Sequence, residues 1–194
     1  MIGDKQNQMK KLIAAINMSL DGVCDHTAMA PDAEVHQHYT DLLKEGSAIL
    51  YGRITYQLME DFWPNLVKNP SDNQALNNFA EAINGIPKVV FSHTLNHLEW
   101  ENSILAKKAL QDEVLALKQI ADRDFFVGSP GLIISLMNLN LVDELQICVH
   151  PVVAGSGRLL FENIQERNEL KLVKTKIFSS GAIILYYEPI YAAG

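Results

Sequence analysis

Cysteine is scarce in this sequence: only Cys24 and Cys148 occur among 194 residues, with no CxxC pair and no Cys/His spacing of a zinc site. A disulfide framework and a structural zinc are thereby excluded, and both thiols read as ordinary buried or half-buried side chains. Long apolar runs are also missing. None approaches the ~20 residues needed to span a bilayer, and the N-terminus lacks the basic flank and apolar stretch of a signal peptide. The expected location is cytoplasmic, with no membrane contact. Positive charge is in deficit, the net charge being -7, which opposes a broad nucleic-acid-binding face and requires any anion site to be local. Several catalytic signatures are absent as well. No G-x-S-x-G nucleophile elbow occurs, nor the H-x-E with P-C-x-x-C of zinc deaminases. The first apolar run ends in Ser19-Leu20-Asp21-Gly22 instead of the glycine-rich turn of a Rossmann dehydrogenase. His36 and His38 sit two apart on a predicted helix and point to different faces, while His93, His97 and His150 are scattered, so no metal site is expected.

What is present is a composition of ordinary globular type, 48% apolar and 20% charged. One domain is expected over residues 9–190, preceded by a patternless, disordered leader over residues 1–8. Leu12 to Met18 reads as a buried strand. Pro31 and Asp32 open a helix with Val35, Tyr39, Leu42 and Leu43 on one face and Gly46 as its stop. Ala48 to Tyr51 is a second strand, closed by Gly52-Arg53 and followed by a helix over Ile54 to Glu60. Ser71 with Gln74 reads as a capping box for the next helix. Val89 to Phe91 is a strand ending at Ser92, Leu110 to Ala121 a helix, and Phe125 to Val127 a strand that enters a helix at Pro130. The pattern then changes to three strands, Leu145 to Val153, Leu170 to Phe178 and Ala182 to Tyr187, the last two joined as a hairpin by Ser179-Ser180-Gly181. Alternating strands and helices imply an α/β fold, a mainly parallel sheet covered on both faces, with an antiparallel C-terminal hairpin at one edge.

In such sheets ligands bind beyond the carboxyl ends of the strands. The strongest signal there is Phe125-Phe126-Val127-Gly128-Ser129-Pro130-Gly131-Leu132, a strand entering a helix through two glycines. Free N–H groups and the helix dipole at such a start favour a phosphate, and Ser129 can add a hydroxyl or cap the helix. Arg53 after Gly52 supplies a fixed cation for a phosphate, and Ser92 a further hydroxyl donor. Gly155-Ser156-Gly157-Arg158 carries half of a dinucleotide fingerprint.

The ordered set S-L-D-G, I-L-Y-G-R-I-T-Y, K-V-V-F-S, F-F-V-G-S-P-G and L-V-D-E-L-Q-I-C-V-H-P-V-V-A-G-S-G-R-L-L-F resembles the reductase domain of riboflavin-biosynthesis enzymes and its stand-alone bacterial relatives in the dihydrofolate-reductase-like superfamily. The resemblance runs from about Met9 to Tyr187. It implies a dihydrofolate-reductase-like three-layer sandwich that binds NADPH across its strand ends, commonly as a homodimer. By that pattern Gly52 and Arg53 lie near the cofactor phosphates, Ser92 begins the adenosine-phosphate contact, and Gly128, Ser129, Pro130, Gly131 and Leu132 wrap the pyrophosphate. Gly155 and Gly157 belong to the stretch that closes the nicotinamide side, and Asp21 lies at the substrate mouth. One departure stands out: where riboflavin reductases carry T-x-x-x-D-D-P-x-L against a phosphoribosyl group, this chain has Thr55-Tyr56-Gln57-Leu58-Met59-Glu60-Asp61-Phe62-Trp63-Pro64.

The expected activity is NADPH-dependent hydride transfer to a small heterocyclic or carbonyl substrate. Asp21, or else Glu60 or Asp61, is expected to orient the proton, with Tyr56 and Trp63 as an apolar wall. A non-catalytic NADP-binding dimer is the competing expectation. Ile147, Val149, Ile183, Leu185 and Tyr187 alternate within two strands and suggest the face on which a homodimer forms.

Overall fold

The computed structural model describes residues 9–191; the expected leader lies outside the described residues. Eight strands form one sheet in the order β4-β3-β2-β5-β1-β6-β8-β7. Its centre is β1 (Leu12–Ser19), flanked in parallel by β5 (Phe125–Val127) and β6 (Glu144–His150). Beyond β5 lie β2 (Ile49–Gly52), β3 (Lys88–Phe91) and β4 (Ser103–Leu105), all parallel. On the other side β8 (Ile183–Ile190) pairs antiparallel with β6 and with the edge strand β7 (Glu169–Ile177). The expected mainly parallel sheet with an antiparallel C-terminal hairpin is what the chain forms.

The strands of the parallel half are apolar on both faces because helices cover both. On one face α1 (Ala33–Glu45), α2 (Arg53–Lys68) and α3 (Gln74–Gly85) bring Leu43, Tyr56 and Ile83 onto Ile13, Ile49, Tyr51 and Phe126. On the other, α4 (Leu110–Ile120) and α5 (Pro130–Asn138) bring Val114, Ile133 and Leu136 onto Leu12, Leu50 and Phe125. The chain leaves β1 through α1 on one face to reach β2, and leaves β5 through α5 on the opposite face to reach β6. Adjacent strands whose connections run in opposite directions open a crevice at their carboxyl ends.

Two local expectations need correction, one strand has no counterpart among the expectations, and one expectation holds for a different physical reason. The second helix continues past Glu60 to Lys68, carrying Pro64 within it. The short edge strand β4, flanked by polar residues, has no apolar run to announce it. The cap of α3 is Asn73, whose side chain accepts the Leu76 N–H, whereas Ser71 Oγ accepts the Asn73 N–H one step earlier. Gly46 does end α1, but with φ -85 it needs no glycine for backbone reasons; a Cβ there would fall inside the Phe126 ring, so close packing is what demands it. Of the residues expected on the dimer face, Ile147 is buried against the α5 core, while Val149, Ile183, Leu185 and Tyr187 stay half-buried and Ile177 next to them is 71% exposed.

Candidate functional site

The crevice opens into a cleft of about 570 Å³ between α1 and α2, over the sheet. Two materials build it. Its outer shelf, at the strand ends, is made of backbone turns and one cation; its inner chamber is apolar.

The shelf rests on two helix starts. Gly52 is the N-cap of α2 and Ser129 that of α5; neither helix has a side-chain cap or an acidic residue in its first turn. The free N–H groups of both helices thus lack a negative partner. The two starts are tied together, since the Gly52 N–H donates to Ser129 Oγ at 2.9 Å. Ser129, expected as a cap of its own helix or a phosphate donor, is instead 3% exposed and serves as this cross-link. Pro130 is the first residue of α5, and Leu132 faces inward to the core. Gly131 is the position where a side chain would matter: a Cβ on it would stand 3.0 Å from Arg158 Nη2.

Arg158 is the residue that local sequence reading passed over. Its guanidinium is exposed and has no ion pair or hydrogen bond among the described residues, yet it lies over the positive end of a helix. A cation in that position is favourable only with an anion between them. The loop that carries it is pinned to the turn after β1. Asp21 accepts the Ala154 and Gly155 N–H groups at 3.0 and 2.7 Å, and Ser19 Oγ at 2.6 Å. Asp25 Oδ2 accepts the Arg158 N–H at 2.9 Å, and the Cys24 N–H donates to Arg158 O. Gly155 and Gly157 have positive φ, and a Cβ at Gly157 would collide with Asp25 and Val23, so these glycines let the loop turn and press against its anchor.

The carboxylates expected to handle protons are otherwise engaged. The Ser19 hydroxyl and the two loop amides hold Asp21 down at about pKa 2, so it is a permanent acceptor and an anchor for the loop. Glu60 Oε1 accepts Tyr56 Oη at 2.6 Å and the Trp100 N–H at 2.9 Å, fixing the segment before β4. Asp61 is exposed on α2 and does not line the cleft. Tyr56, expected in the wall, is 1% exposed, and burial pushes its hydroxyl up to about 12; it belongs to the core with Trp100. Trp63 does line the cleft, edge-on to Phe79 at 4.7 Å. Ser92 ends β3, where its Oγ accepts the Thr94 and Leu95 N–H groups and closes a turn. Arg53 opens α2, exposed, its Nη1 donating to Gln57 at 3.0 Å.

The chamber's polar floor comes from three elements that sequence proximity does not unite. Asn17 on β1 accepts His150 Nε2 of β6 at 2.8 Å and Tyr39 Oη of α1 at 3.4 Å, both on Oδ1. His36, one turn earlier on α1, spends Nδ1 on Asp32 O at 2.9 Å. Burial lowers the His150 pKa. His38, as expected, points away from His36, onto Tyr186 and Phe178. Among the described residues no group of three or more His, Cys, Asp or Glu is arranged to hold a metal ion, and no helix is long and apolar enough to cross a membrane.

The comparisons with known proteins converge on this geometry. Residues 10–184 match the model of the RibD C-terminal domain. The uncharacterized protein YyaP of Bacillus subtilis (strain 168) is 31% identical over 188 residues, 93% of this chain and 95% of that one. A Thermotoga maritima diaminohydroxyphosphoribosylaminopyrimidine deaminase/5-amino-6-(5-phosphoribosylamino)uracil reductase superimposes with TM-score 0.63 at 15% identity, over 94% of this chain and 57% of that one. Enterococcus faecalis dihydrofolate reductase, complexed with NADP(H), does so with TM-score 0.60 at 14% identity, over 92% and 96%. With its sheet order, its strand-end turns and the family match all in agreement, the chain belongs to the RibD C-terminal domain family and has its dihydrofolate-reductase-like fold.

Proposed function

We propose that this protein is an NADPH-dependent reductase of a small heterocyclic or carbonyl compound. The observation that carries the reading is the pair of uncapped helix starts with the unpaired Arg158 over one of them, an arrangement that an anion completes. The pyrophosphate of NADPH is such an anion. Gly128 to Leu132 would wrap it, the free N–H groups in the first turns of α5 and α2 would donate to it while the Gly52 N–H stays on Ser129 Oγ, and Arg158 would close over it. Arg53, exposed on the first turn of α2, suits the 2'-phosphate, and Ser92 sits beyond the next strand on the adenosine side. Gly155 and Gly157 shape the loop that covers the nicotinamide side.

Bound NADPH supplies the hydride. The protein's share is positioning: the shelf fixes the cofactor, the Trp63 wall excludes water, and the floor fixes the substrate. With Asp21, Glu60 and Asp61 committed elsewhere or outside the cleft, proton delivery falls to water, which His36 can orient: with Nδ1 donating to Asp32 O, Nε2 of the neutral ring is an acceptor in the cleft lining. A second copy of the chain is the partner we assign to the face of β8 and β7 that carries Ile183, Leu185 and Tyr187, where Leu172 and Ile177 are at least 50% exposed. Sedimentation should give a dimer at micromolar concentration; a ~22 kDa species alone would remove this part of the reading.

The test of the activity is substrate-dependent loss of absorbance at 340 nm. A protein that binds NADPH but oxidises it with none of a panel of pterins, flavin precursors and small carbonyl compounds would instead be an NADP-binding module. NADPH should raise the melting temperature more than NADH, and Arg53→Ala should reduce that preference by roughly 10-fold in affinity.

A further inference from the structure

We infer that the inner chamber takes an uncharged, flat ring compound that presents a hydrogen-bond acceptor, such as a ring carbonyl, to Asn17, and that it does not take a phosphorylated sugar. That this compound is the one reduced rests on the proposed reductase activity; that it occupies the chamber follows from the chamber itself.

Charge comes first. Arg158 is the sole Lys or Arg among the residues that line the cleft, and it lies on the shelf over Gly131. A phosphate buried farther in would meet no lysine or arginine, and Asp25 at the mouth would repel it. Arg53 cannot substitute, being outside the cleft lining on the solvent side of α2.

Apolar surface comes second. The walls are Met29, Leu42 and Tyr39 on one side and Leu58, Phe62 and Trp63 on the other. At about 570 Å³ the space falls within the range of small-molecule sites and is open enough for one bicyclic ring system. Ala15, small and facing this side of β1, leaves the floor low enough for a ring to lie on it.

The polar anchor comes third. Asn17 Oδ1 is occupied by His150 and Tyr39, which turns its Nδ2 amino group away from them. Asn17 lines the cleft, and among the described residues Nδ2 has no partner. The Thr55 hydroxyl, in the facing wall, is likewise without one. An amide whose carbonyl is held by two protein donors is a pre-oriented donor to the ligand, so the ligand must bring an acceptor. A neutral carbonyl oxygen on an apolar ring satisfies the amide without bringing a charge into the chamber.

The probes are 1-indanone, indane, which lacks the carbonyl, and ribose 5-phosphate, each titrated by calorimetry into the full-length protein with and without NADPH. 1-Indanone should bind, indane roughly 5- to 10-fold more weakly, and ribose 5-phosphate not at all in the chamber. Asn17→Leu should abolish the preference for indanone over indane. Leu58→Glu, at an exposed wall position that does not endanger the fold, should weaken both ring compounds by at least ~10-fold and leave NADPH affinity unchanged. Ribose 5-phosphate displacing indanone, or wild-type protein binding indane as well as indanone, overturns the inference even if Asn17→Leu does not fold. Ring compounds binding while NADPH does not would sink the reductase reading and leave the chamber assignment standing; NADPH binding without any ring compound does the reverse.

Discussion

The five helices among the described residues begin in two different ways. α1 starts with Asp32, which accepts the Val35 N–H at 2.8 Å, and α3 with Asn73, which accepts the Leu76 N–H. α4 has no side-chain cap but places Asp112 and Glu113 in its first turn. These helices complete their own positive ends, and their starts are matters of stability. α2 and α5 have neither device, and both starts lie at the carboxyl ends of neighbouring strands, joined through Gly52 and Ser129. The difference teaches which two helix starts the chain leaves without a negative partner.

The sharpest way to break that comparison is to give α2 the cap it lacks. Gly52 has φ -79, and a Cβ there would stand 3.9 Å from Ser129 Oγ, ordinary contact, so Gly52→Asp fits the backbone. The new carboxylate should stabilise the apo protein by about 0.5 kcal/mol while lowering NADPH affinity by at least ~100-fold, because a fixed anion then stands at the proposed pyrophosphate position. Denaturant midpoints paired with cofactor titration read both effects. A variant that gains stability and still binds NADPH like the wild type removes α2 from the site.

Arg158→Ala comes next. The guanidinium is exposed and makes no protein contact that folding depends on, so the apo melting temperature should stay within about 2 °C, whereas NADPH affinity should fall by roughly 10- to 100-fold. Gly131→Val should mimic it. The added side chain meets the movable end of Arg158 instead of backbone, so the fold tolerates it and the guanidinium is pushed off the helix start. If Gly131→Val unfolds the protein, packing rather than the ligand is what requires that glycine.

These residues also mark the limit of what the sequence makes legible. Strand-turn-helix order is local, and so the S-P-G turn, Gly52-Arg53 and the C-terminal hairpin are visible as patterns of neighbours. Arg158 meets Gly131 only because Asp21 and Asp25 bind the 154–158 loop across the sheet, a contact that no window of sequence contains. The same holds for Asn17, Tyr39 and His150, which come from β1, α1 and β6. Asp21 shows the same limit: an acid in a turn after the first strand suggests proton chemistry, while the Ala154 and Gly155 N–H groups that it accepts belong to a loop far along the chain. Tyr56 and Trp63 lie on nearly the same face of α2, yet Trp100 folds over the former and leaves the latter to the cleft.

The capped side of the comparison has its own test, with a smaller effect. Asp32→Ala removes the acceptor for the Val35 N–H and should lower stability by about 1 kcal/mol, with NADPH affinity unchanged, since α1 begins away from the shelf. A drop in cofactor affinity equal to that of Arg158→Ala would show that the two kinds of helix start are not separable in function.

The smallest effect expected concerns the two histidines of α1, of which His36 faces the cleft and His38 the body of the protein. His38 packs against Phe178 and Tyr186, and its Nδ1 faces Lys176 Nζ at 3.3 Å. Burial first, and the Lys176 ammonium second, pull its pKa down to about 4 from the usual 6.5. Below about pH 6.5 the unfolded chain therefore takes up a proton that the folded chain refuses until about pH 4. Stability present above pH 6.5 is lost as pH falls through that window, and no more is lost below it. Because the ring is only half-buried and solvent screens the lysine, the loss should be about 1 kcal/mol, less than the full shift implies. His38→Gln should flatten the fall in melting temperature between pH 6.5 and 4 while leaving the ratio of apo to NADPH-bound melting temperatures at each pH as it is. An unchanged slope would mean that the acid sensitivity of the body arises elsewhere. A changed cofactor response would mean that the face of α1 turned away from the cleft still reports to it.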